Sequence, residues 1–141
     1  MGFDEAGWWE GYVDSMERAG GNPTLYCEKA LLGALLVDGG LRARVRTLTG
    51  REFSDPALGR IFDMLMDVDG PIDLVIALAE AEKRGLGKAV GSTGIAAYLA
   101  SLLDLVPDVE NVESYAKYIK RASIAREVEK MRARRAAERL A

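Results

Sequence analysis

The sequence predicts an all-α fold, with a compact bundle of about six short helices followed by a long projecting C-terminal helix. Apolar side chains recur at steps of three and four along most of the chain, which is the helical period. No stretch alternates apolar and polar residues long enough to predict a strand, and no hairpin signal is present. The length of 141 residues, 49% of them hydrophobic and 29% charged, suits a single globular domain.

Histidine is absent from the chain, and this absence excludes much catalytic chemistry. Neither a Ser-His-Asp nor a Cys-His relay can form, and zinc sites with histidine ligands are excluded. Cys27 is the only cysteine, so no intrachain disulfide forms, which fits a reducing, cytoplasmic compartment. No apolar run reaches about 18 residues, the length of a membrane span. We therefore expect a protein without a cofactor, a metal site or a membrane contact.

The charges are divided unevenly along the chain. The first 116 residues carry 10 basic and 19 acidic side chains, whereas residues 117–141 carry 9 basic and 3 acidic ones. A basic segment on an acidic body favours contact with nucleic acid or with an acidic protein. A solvated helix face would show the same composition, so both interpretations stay open here.

Residues 1–21 are predicted to be an amphipathic appendage to the domain. Apolar side chains follow a helical spacing over residues 4–18, and Gly20-Gly21-Asn22-Pro23 then breaks the helix. The aromatic residues of this helix are Trp8, Trp9 and Tyr12. The helix either folds back onto its own domain or serves as a docking handle for a partner.

Residues 22–107 are predicted to form the globular domain. Thr24 is expected to cap a helix over about 25–37, which ends at Asp38-Gly39-Gly40 because glycine readily takes the left-handed conformation. A short helix over about 41–48 follows. Asp55-Pro56 is a strong start signal for the next helix, which runs to about residue 68.

The second half of this domain is predicted from the same capping and glycine signals. Asp73 is expected to cap a helix over about 74–84, which ends at Gly85. The glycine-rich segment 85–94 is predicted to be a loop, and it lacks the residue order of a phosphate-binding loop. Ser92 or Thr93 is expected to cap a helix over about 95–104.

Residues 108–141 are predicted to form a long basic C-terminal helix, which Pro107-Asp108 opens. Its helical span of about 109–139 would be about 45 Å long, more than a small globule can cover. Steps of three and four connect the apolar positions Tyr115, Ile119, Ala122, Ala125, Val128 and Met131. We therefore expect the far end to project or to pack on another chain.

Eight short motifs follow one another between residues 22 and 128. They are Asn22-Pro23 with Glu28-Lys29-Ala30-Leu31-Leu32-Gly33-Ala34-Leu35-Leu36, Glu52-Phe53, Ile61-Phe62, Pro71-Ile72-Asp73-Leu74, Gly91 and Gly94 with Ala97-Tyr98-Leu99, Val106-Pro107, Asn111-Val112, and Tyr115-Ala116 with Ile119 and Arg126. In order and spacing they resemble the N-terminal domain of DnaB-type replicative helicases, which is related in fold to the helicase-binding C-terminal domain of bacterial primase.

Three features depart from the family pattern. Leu58 occupies the position of a usual histidine, and residues 1–21 have no counterpart. The family's domain ends in a two-helix hairpin, of which only the first helix is present. The linker and the ATPase domain with its Walker A loop are absent, so the resemblance implies no helicase activity for this chain.

The resemblance implies a non-catalytic protein–protein interaction domain of the replication machinery. In the family this domain mediates oligomerisation in a collar, where primase or a helicase loader docks. We expect the oligomer or partner interface to use residues along the long helix, namely Tyr115, Tyr118, Ile119, Ala122, Arg126, Val128 and Met131. Contacts to an acidic partner or DNA are expected from Arg121, Arg132, Arg134 and Arg135.

Other functions are compatible with the same residues. A free-standing protein of a mobile element or phage could bind or modulate a helicase or primase through this surface. A small DNA-binding protein could use the basic helix, although that helix has no aromatic side chain beyond residue 119 for stacking on bases. An enzyme that uses carboxylates alone is the remaining alternative.

Overall fold

The computed structural model describes residues 21–105 and 109–140, apart from the side chain of Ser92. Five α-helices run through these ranges: α1 (Pro23–Val37), α2 (Pro56–Asp67), α3 (Leu74–Lys83), α4 (Ile95–Leu103) and α5 (Val112–Leu140). Short 3₁₀ helices at Gly39–Arg44, Gly50–Glu52, Leu86–Thr93 and Val109–Asn111 connect them, and these ranges contain no strand. The prediction of an all-α fold with a long C-terminal helix is confirmed.

The central helix α1 begins two residues earlier than predicted, at Pro23. Asn22 Oδ1 accepts a hydrogen bond from Leu25 N at 3.1 Å, and Pro23 occupies the first helical position. The prediction that Thr24 caps this helix is therefore wrong, because Thr24 already lies inside it. Asn22 is a stronger cap, and the proline beside it needs no hydrogen-bond partner for its nitrogen.

The end of α1 also differs from the expectation. Asp38 terminates the helix in an extended conformation, and neither Gly39 nor Gly40 has a positive φ. Gly39 is needed for a different reason, since a Cβ atom there would collide with the side chain of Ile72. Instead of the predicted helix over 41–48, the chain forms the 3₁₀ helix Gly39–Arg44.

Two predicted helix starts are confirmed. Asp55 Oδ1 accepts a hydrogen bond from Ala57 N at 2.9 Å at the start of α2, with Pro56 in the first helical position. Asp73 Oδ1 accepts one from Ile76 N at 2.9 Å at the start of α3. Each carboxylate satisfies a backbone N–H that has no partner within its helix.

The predicted loop over residues 85–94 contains more structure than expected. Gly85, with φ of 68°, ends α3 as predicted, but the 3₁₀ helix Leu86–Thr93 follows, with a kink at Gly91. Gly94, with φ of 84°, directly precedes α4, which has no side-chain cap. The prediction of a Ser92 or Thr93 cap is wrong because the left-handed Gly94 takes the capping position.

The hydrophobic core surrounds α1, which is buried over most of its circumference. Its side chains pack with those of the other four helices. Leu58, at the position where the family usually has histidine, is fully buried. Cys27 is buried as well, and desolvation by burial, with a smaller contribution from Glu28, raises the pKa of its thiol to about 12. The thiol is therefore a packed apolar group and not a nucleophile at neutral pH.

Candidate interaction surface on the C-terminal helix

The first half of α5 is part of the core. Val112, Tyr115 and Ile119 are buried and lie against the helices of the body. A surface hydrogen bond also connects the first turn of α5 to the body, since Arg44 Nε donates to Glu113 Oε1 at 2.6 Å. Arg44 lies shortly after the C-terminal end of α1, so this pair places the start of α5 at that end of α1.

The middle of α5 is fastened to the segment between Glu52 and Asp55. Arg126 Nη2 donates to the Glu52 carbonyl oxygen at 2.9 Å, and Lys120 Nζ lies 2.6 Å from Glu52 Oε2. Glu28 of α1 holds the same segment, since its carboxylate accepts from Ser54 N at 2.6 Å and from Asp55 N at 3.2 Å. Helices α1 and α5 are therefore antiparallel, with the N-terminal part of α1 near Arg126.

Glu28 is a fully buried carboxyl group in this arrangement. Desolvation by burial raises its pKa above the ordinary value of 4.5. The backbone N–H groups of Ser54 and Asp55, and the charge of Arg126, act in the opposite direction without cancelling that effect. The carboxyl thus has a structural role, because it joins α1, the start of α2 and α5.

The second half of α5 leaves the body. Every residue from Glu127 to Leu140 is exposed, a stretch about 21 Å long. Ile124, just before this stretch, forms one line with Val128 and Met131 within it, at steps of four and three, and the three side chains are 55%, 40% and 50% exposed. We call these three residues the outer stripe. The predicted projection of the long helix is thus seen in the structure.

The predicted interface residues do not all lie on one face of α5. Tyr115 and Ile119 are buried in the domain's own core, so they offer no surface to a partner in this fold. Tyr118, Ala122 and Arg126 are partly buried beside the body. Only Val128 and Met131 are widely exposed, and Ile124, which is not among the predicted interface residues, lies in line with them.

The physical reason for this separation is the helical period. Successive steps of three from Ile119 drift around the helix, because each residue turns by about 100°. Val128 lies nine residues after Ile119, which is two and a half turns, so it faces the opposite side. A spacing of four and three starting at Ile124 would have identified the outer stripe from the sequence.

The predicted contact arginines are available at the surface. Arg121, Arg132, Arg134 and Arg135 are exposed, and none forms an ion pair with another residue of the described ranges. Arg126 differs from them because its guanidinium is bonded within the domain. The predicted docking handle of Trp8, Trp9 and Tyr12 lies outside the described residues.

The described part of the chain contains surface clefts with acidic residues but no candidate metal site. No group of three or more Cys, Asp or Glu side chains there could hold a metal ion. Surface clefts of about 360 and 340 Å³ contain acidic residues, but arginines line the same clefts. Among the helices at 21–105 and 109–140, none has both the length and the apolar character of a membrane span.

Comparison with known proteins agrees with this architecture. The family model described as the DnaB-like helicase N terminal domain matches residues 22–121. The replicative DNA helicase DnaB of Treponema pallidum (strain Nichols) is 32% identical over 108 residues, covering 76% of this chain and 25% of that protein. The replicative DNA helicase DnaB of Mycobacterium leprae (strain TN) is 31% identical over 106 residues, covering 72% of this chain and 17% of that protein.

A solved structure shows the same fold. The crystal structure of the N-terminal domain of DnaB helicase from Mycobacterium tuberculosis matches with a TM-score of 0.75 and 28% sequence identity. The match covers 83% of this chain and 86% of that one. This chain spans a quarter or less of the length of the two helicases described above, and the family model that matches it describes a helicase N-terminal domain. The resemblance found in the sequence motifs is confirmed, and the chain belongs to the DnaB-like helicase N-terminal domain family.

Proposed function

We propose that this chain is a non-catalytic protein–protein interaction domain of the DNA replication machinery. It associates with itself through α5, and it docks primase, a replicative helicase or a helicase loader. The observation that carries the proposal is the projecting half of α5, which exposes an apolar stripe beyond a body that is already closed. Exposed apolar side chains on such a support are typical of an interaction surface.

The size of the outer stripe suits weak association. Full burial of an apolar side chain contributes about 1.5–3 kcal/mol, so three side chains at about half exposure contribute about 2–4 kcal/mol per copy. The loss of translational and rotational freedom on association costs about 4–15 kcal/mol, so two copies that together contribute about 4–8 kcal/mol offset only the lower part of that range. Self-association through this stripe is therefore expected to depend on concentration, with two copies related by a two-fold axis.

The mass in solution tests this proposal. Light scattering over a concentration series should show the full chain moving from monomer towards dimer. The triple variant Ile124→Gln/Val128→Gln/Met131→Gln should stay monomeric over the same series. The double variant Glu129→Gln/Lys130→Gln, which leaves the outer stripe intact, serves as the control and should behave like the original chain. A monomer at every concentration for the unaltered chain would contradict self-association.

DNA binding is a second candidate, and the exposed arginines of α5 are the observation that favours it. Phosphate contacts by such residues would give an affinity that falls steeply with salt. The test compares DNA binding by the full chain and by the variant Arg132→Gln/Arg134→Gln/Arg135→Gln at several salt concentrations. A strong loss of affinity in the variant, with a shallower salt dependence, would establish this function.

A further inference from the structure

Four exposed arginines lie along one edge of the outer stripe. Because each residue turns an α-helix by about 100°, the three stripe residues lie within about 40° of Ile124 around the helix axis. The arginines lie at about 20–80° from Ile124, all in the same direction. They are Arg121, Arg132, Arg135 and Arg139, and they extend over about 27 Å of α5. We call these four residues the arginine edge.

The charges of the arginine edge are not compensated by the rest of the domain. None of its four guanidinium groups forms an ion pair or a hydrogen bond with another residue at 21–105 or 109–140. Lys120 differs, because its Nζ lies 2.6 Å from Glu52 Oε2. Lys130 Nζ likewise lies 3.3 Å from Glu127 Oε1. The arginine edge is therefore available to an anion from outside the domain.

The body covers the other edge of the outer stripe along the first half of α5. Lys120 lies on that edge, about 40° from Ile124, and its Nζ donates to the Thr47 carbonyl oxygen at 3.2 Å. The segment that contains Thr47 therefore lies beside the first half of α5. Parallel pairing of two copies would bring this segment against the arginine edge of the partner. Antiparallel pairing avoids that contact, because the two-fold axis then sets each edge beside the same edge of the partner, at the other half of its helix.

Antiparallel pairing brings the two arginine edges together. When Val128 packs beside Val128 of the second copy, Arg121 lies beside Arg135 of that copy, since each is seven residues from Val128. The pair then has eight guanidinium groups on one side of the contact. Like charges at such distances repel, and more strongly when salt is low. Apolar contact along the outer stripe therefore favours association, whereas the arginine edges oppose it.

A row of guanidinium groups on this scale matches the phosphate backbone of duplex DNA. Each guanidinium can donate two parallel hydrogen bonds to one phosphate. The phosphates of one duplex strand are about 3.4 Å apart, so a length of about 27 Å spans several of them. Proteins that bind single strands add aromatic side chains on which bases stack, and α5 has no aromatic residue after Tyr118. The chemistry of the edge therefore favours the backbone of a duplex over a single strand.

We propose that duplex DNA binds along the joined arginine edges of two antiparallel copies and strengthens their association. Neither copy alone provides the complete site, because each contributes four of the eight guanidinium groups. The phosphates neutralise the charges that oppose pairing, so DNA binding and association reinforce each other. This inference rests on the self-association proposed above, and it adds the ligand that this surface takes when two copies are paired.

Removing charge from the arginine edge tests the repulsion. Light scattering at low salt without DNA compares the full chain with Arg121→Gln/Arg135→Gln, in which the closest pairs of like charges are lost. We expect this variant to dimerise several-fold more tightly. The control Lys130→Gln/Arg134→Gln removes the same charge from other sides of α5 and should dimerise as the unaltered chain does. An edge variant that dimerises no more tightly than the control would overturn the proposal.

Adding DNA tests the composite site. A duplex of about 12 base pairs is about 41 Å long, enough for one pair of joined edges but not for two pairs end to end. Sedimentation of the full chain with this duplex should show two chains per duplex, bound cooperatively, and a dimer affinity several-fold higher than without DNA. The variant Ile124→Gln/Val128→Gln/Met131→Gln keeps every arginine and should bind the duplex several-fold more weakly, one chain at a time. Equal, cooperative binding by both proteins would overturn the proposal.

Further outcomes separate this inference from its premise. Dimerisation that the duplex leaves unchanged would refute the inference alone, whereas a monomer both with and without the duplex would refute self-association as well. Poly-glutamate and a single DNA strand of the same length serve as alternative polyanions, and both should tighten association less than the duplex does. Equal tightening by either would overturn the assignment to duplex DNA.

Discussion

The two halves of α5 belong to one continuous helix but have opposite roles. Between Val112 and Arg126 the side chains on the side of α5 that faces the body are buried in the core or bonded to it, whereas Ile124 on the outer side is 55% exposed. From Glu127 to Leu140 every residue is exposed. The first half is an element of the fold, whereas the second half adds nothing to the described core. Local helix propensity continues through both halves, so the difference comes from tertiary packing alone.

The largest expected effect compares two isoleucines, five residues apart on α5. Ile119→Ala should lower the free energy of unfolding by about 2–5 kcal/mol, because it leaves a cavity in a packed core. Ile124→Ala should change the same free energy by less than about 0.5 kcal/mol, since Ile124 is 55% exposed. Chemical denaturation of dilute, monomeric protein measures both. Similar losses for the two variants would show that the core extends further along α5 than described.

A smaller effect is expected at Glu28, which fastens the first half of α5 indirectly. Glu28→Gln replaces a carboxylate that accepts two backbone hydrogen bonds, and one N–H then loses its acceptor. The loss should be about 1–3 kcal/mol of unfolding free energy. The comparison variant Glu127→Gln, on the projecting half, should be nearly neutral.

The same variant has an expected pH dependence. Burial raises the pKa of Glu28 in the folded state, so the folded protein binds the proton more tightly than the unfolded chain does. The stability that this group contributes is fully present below its ordinary pKa of 4.5 and is lost as pH rises through the folded pKa. The stability difference between the original chain and Glu28→Gln should therefore fall as pH rises above 4.5. A difference that grows with pH would contradict this sign.

The smallest effect compares two arginines of α5. Arg126→Ala removes the hydrogen bond to the Glu52 carbonyl oxygen and should lower the free energy of unfolding by about 1–2 kcal/mol. Arg132→Ala removes an exposed side chain and should change it by less than about 0.5 kcal/mol. Denaturation curves for the two variants, measured side by side, would sharpen the boundary between the halves. Equal effects would place that boundary elsewhere.

The sequence predicted the helices of the body well wherever a local signal was specific. Asp55-Pro56, Asp73 and Gly85 mark helix ends through local backbone chemistry, and the structure agrees with them. The Thr24 cap failed because Asn22 offered a better capping group two residues earlier. The prediction that Gly39 ends α1 by taking a left-handed conformation was wrong. A glycine is needed there because the backbone passes close to Ile72, and a contact with a residue so distant in sequence cannot be predicted from a local pattern.

The interaction surface was predicted less completely. Apolar spacing identified a long helix and its projection, but it joined Ile119 and Val128 into a single stripe although they face opposite sides. The network of Glu28, Glu52 and Arg126 could not be predicted, because it joins residues more than seventy positions apart. Local periodicity contains no information about which buried charge meets which backbone group.

The central claim is that the projecting half of α5 serves association and not folding. The most direct test measures two quantities for the full chain and for Ile124→Gln/Val128→Gln/Met131→Gln. These are the unfolding free energy at a concentration where both are monomeric, and the mass in a concentrated sample. We predict unfolding free energies that agree within about 1 kcal/mol, and a mass that falls from dimer to monomer. An unchanged mass, or a loss of stability comparable to that of Ile119→Ala, would contradict the claim.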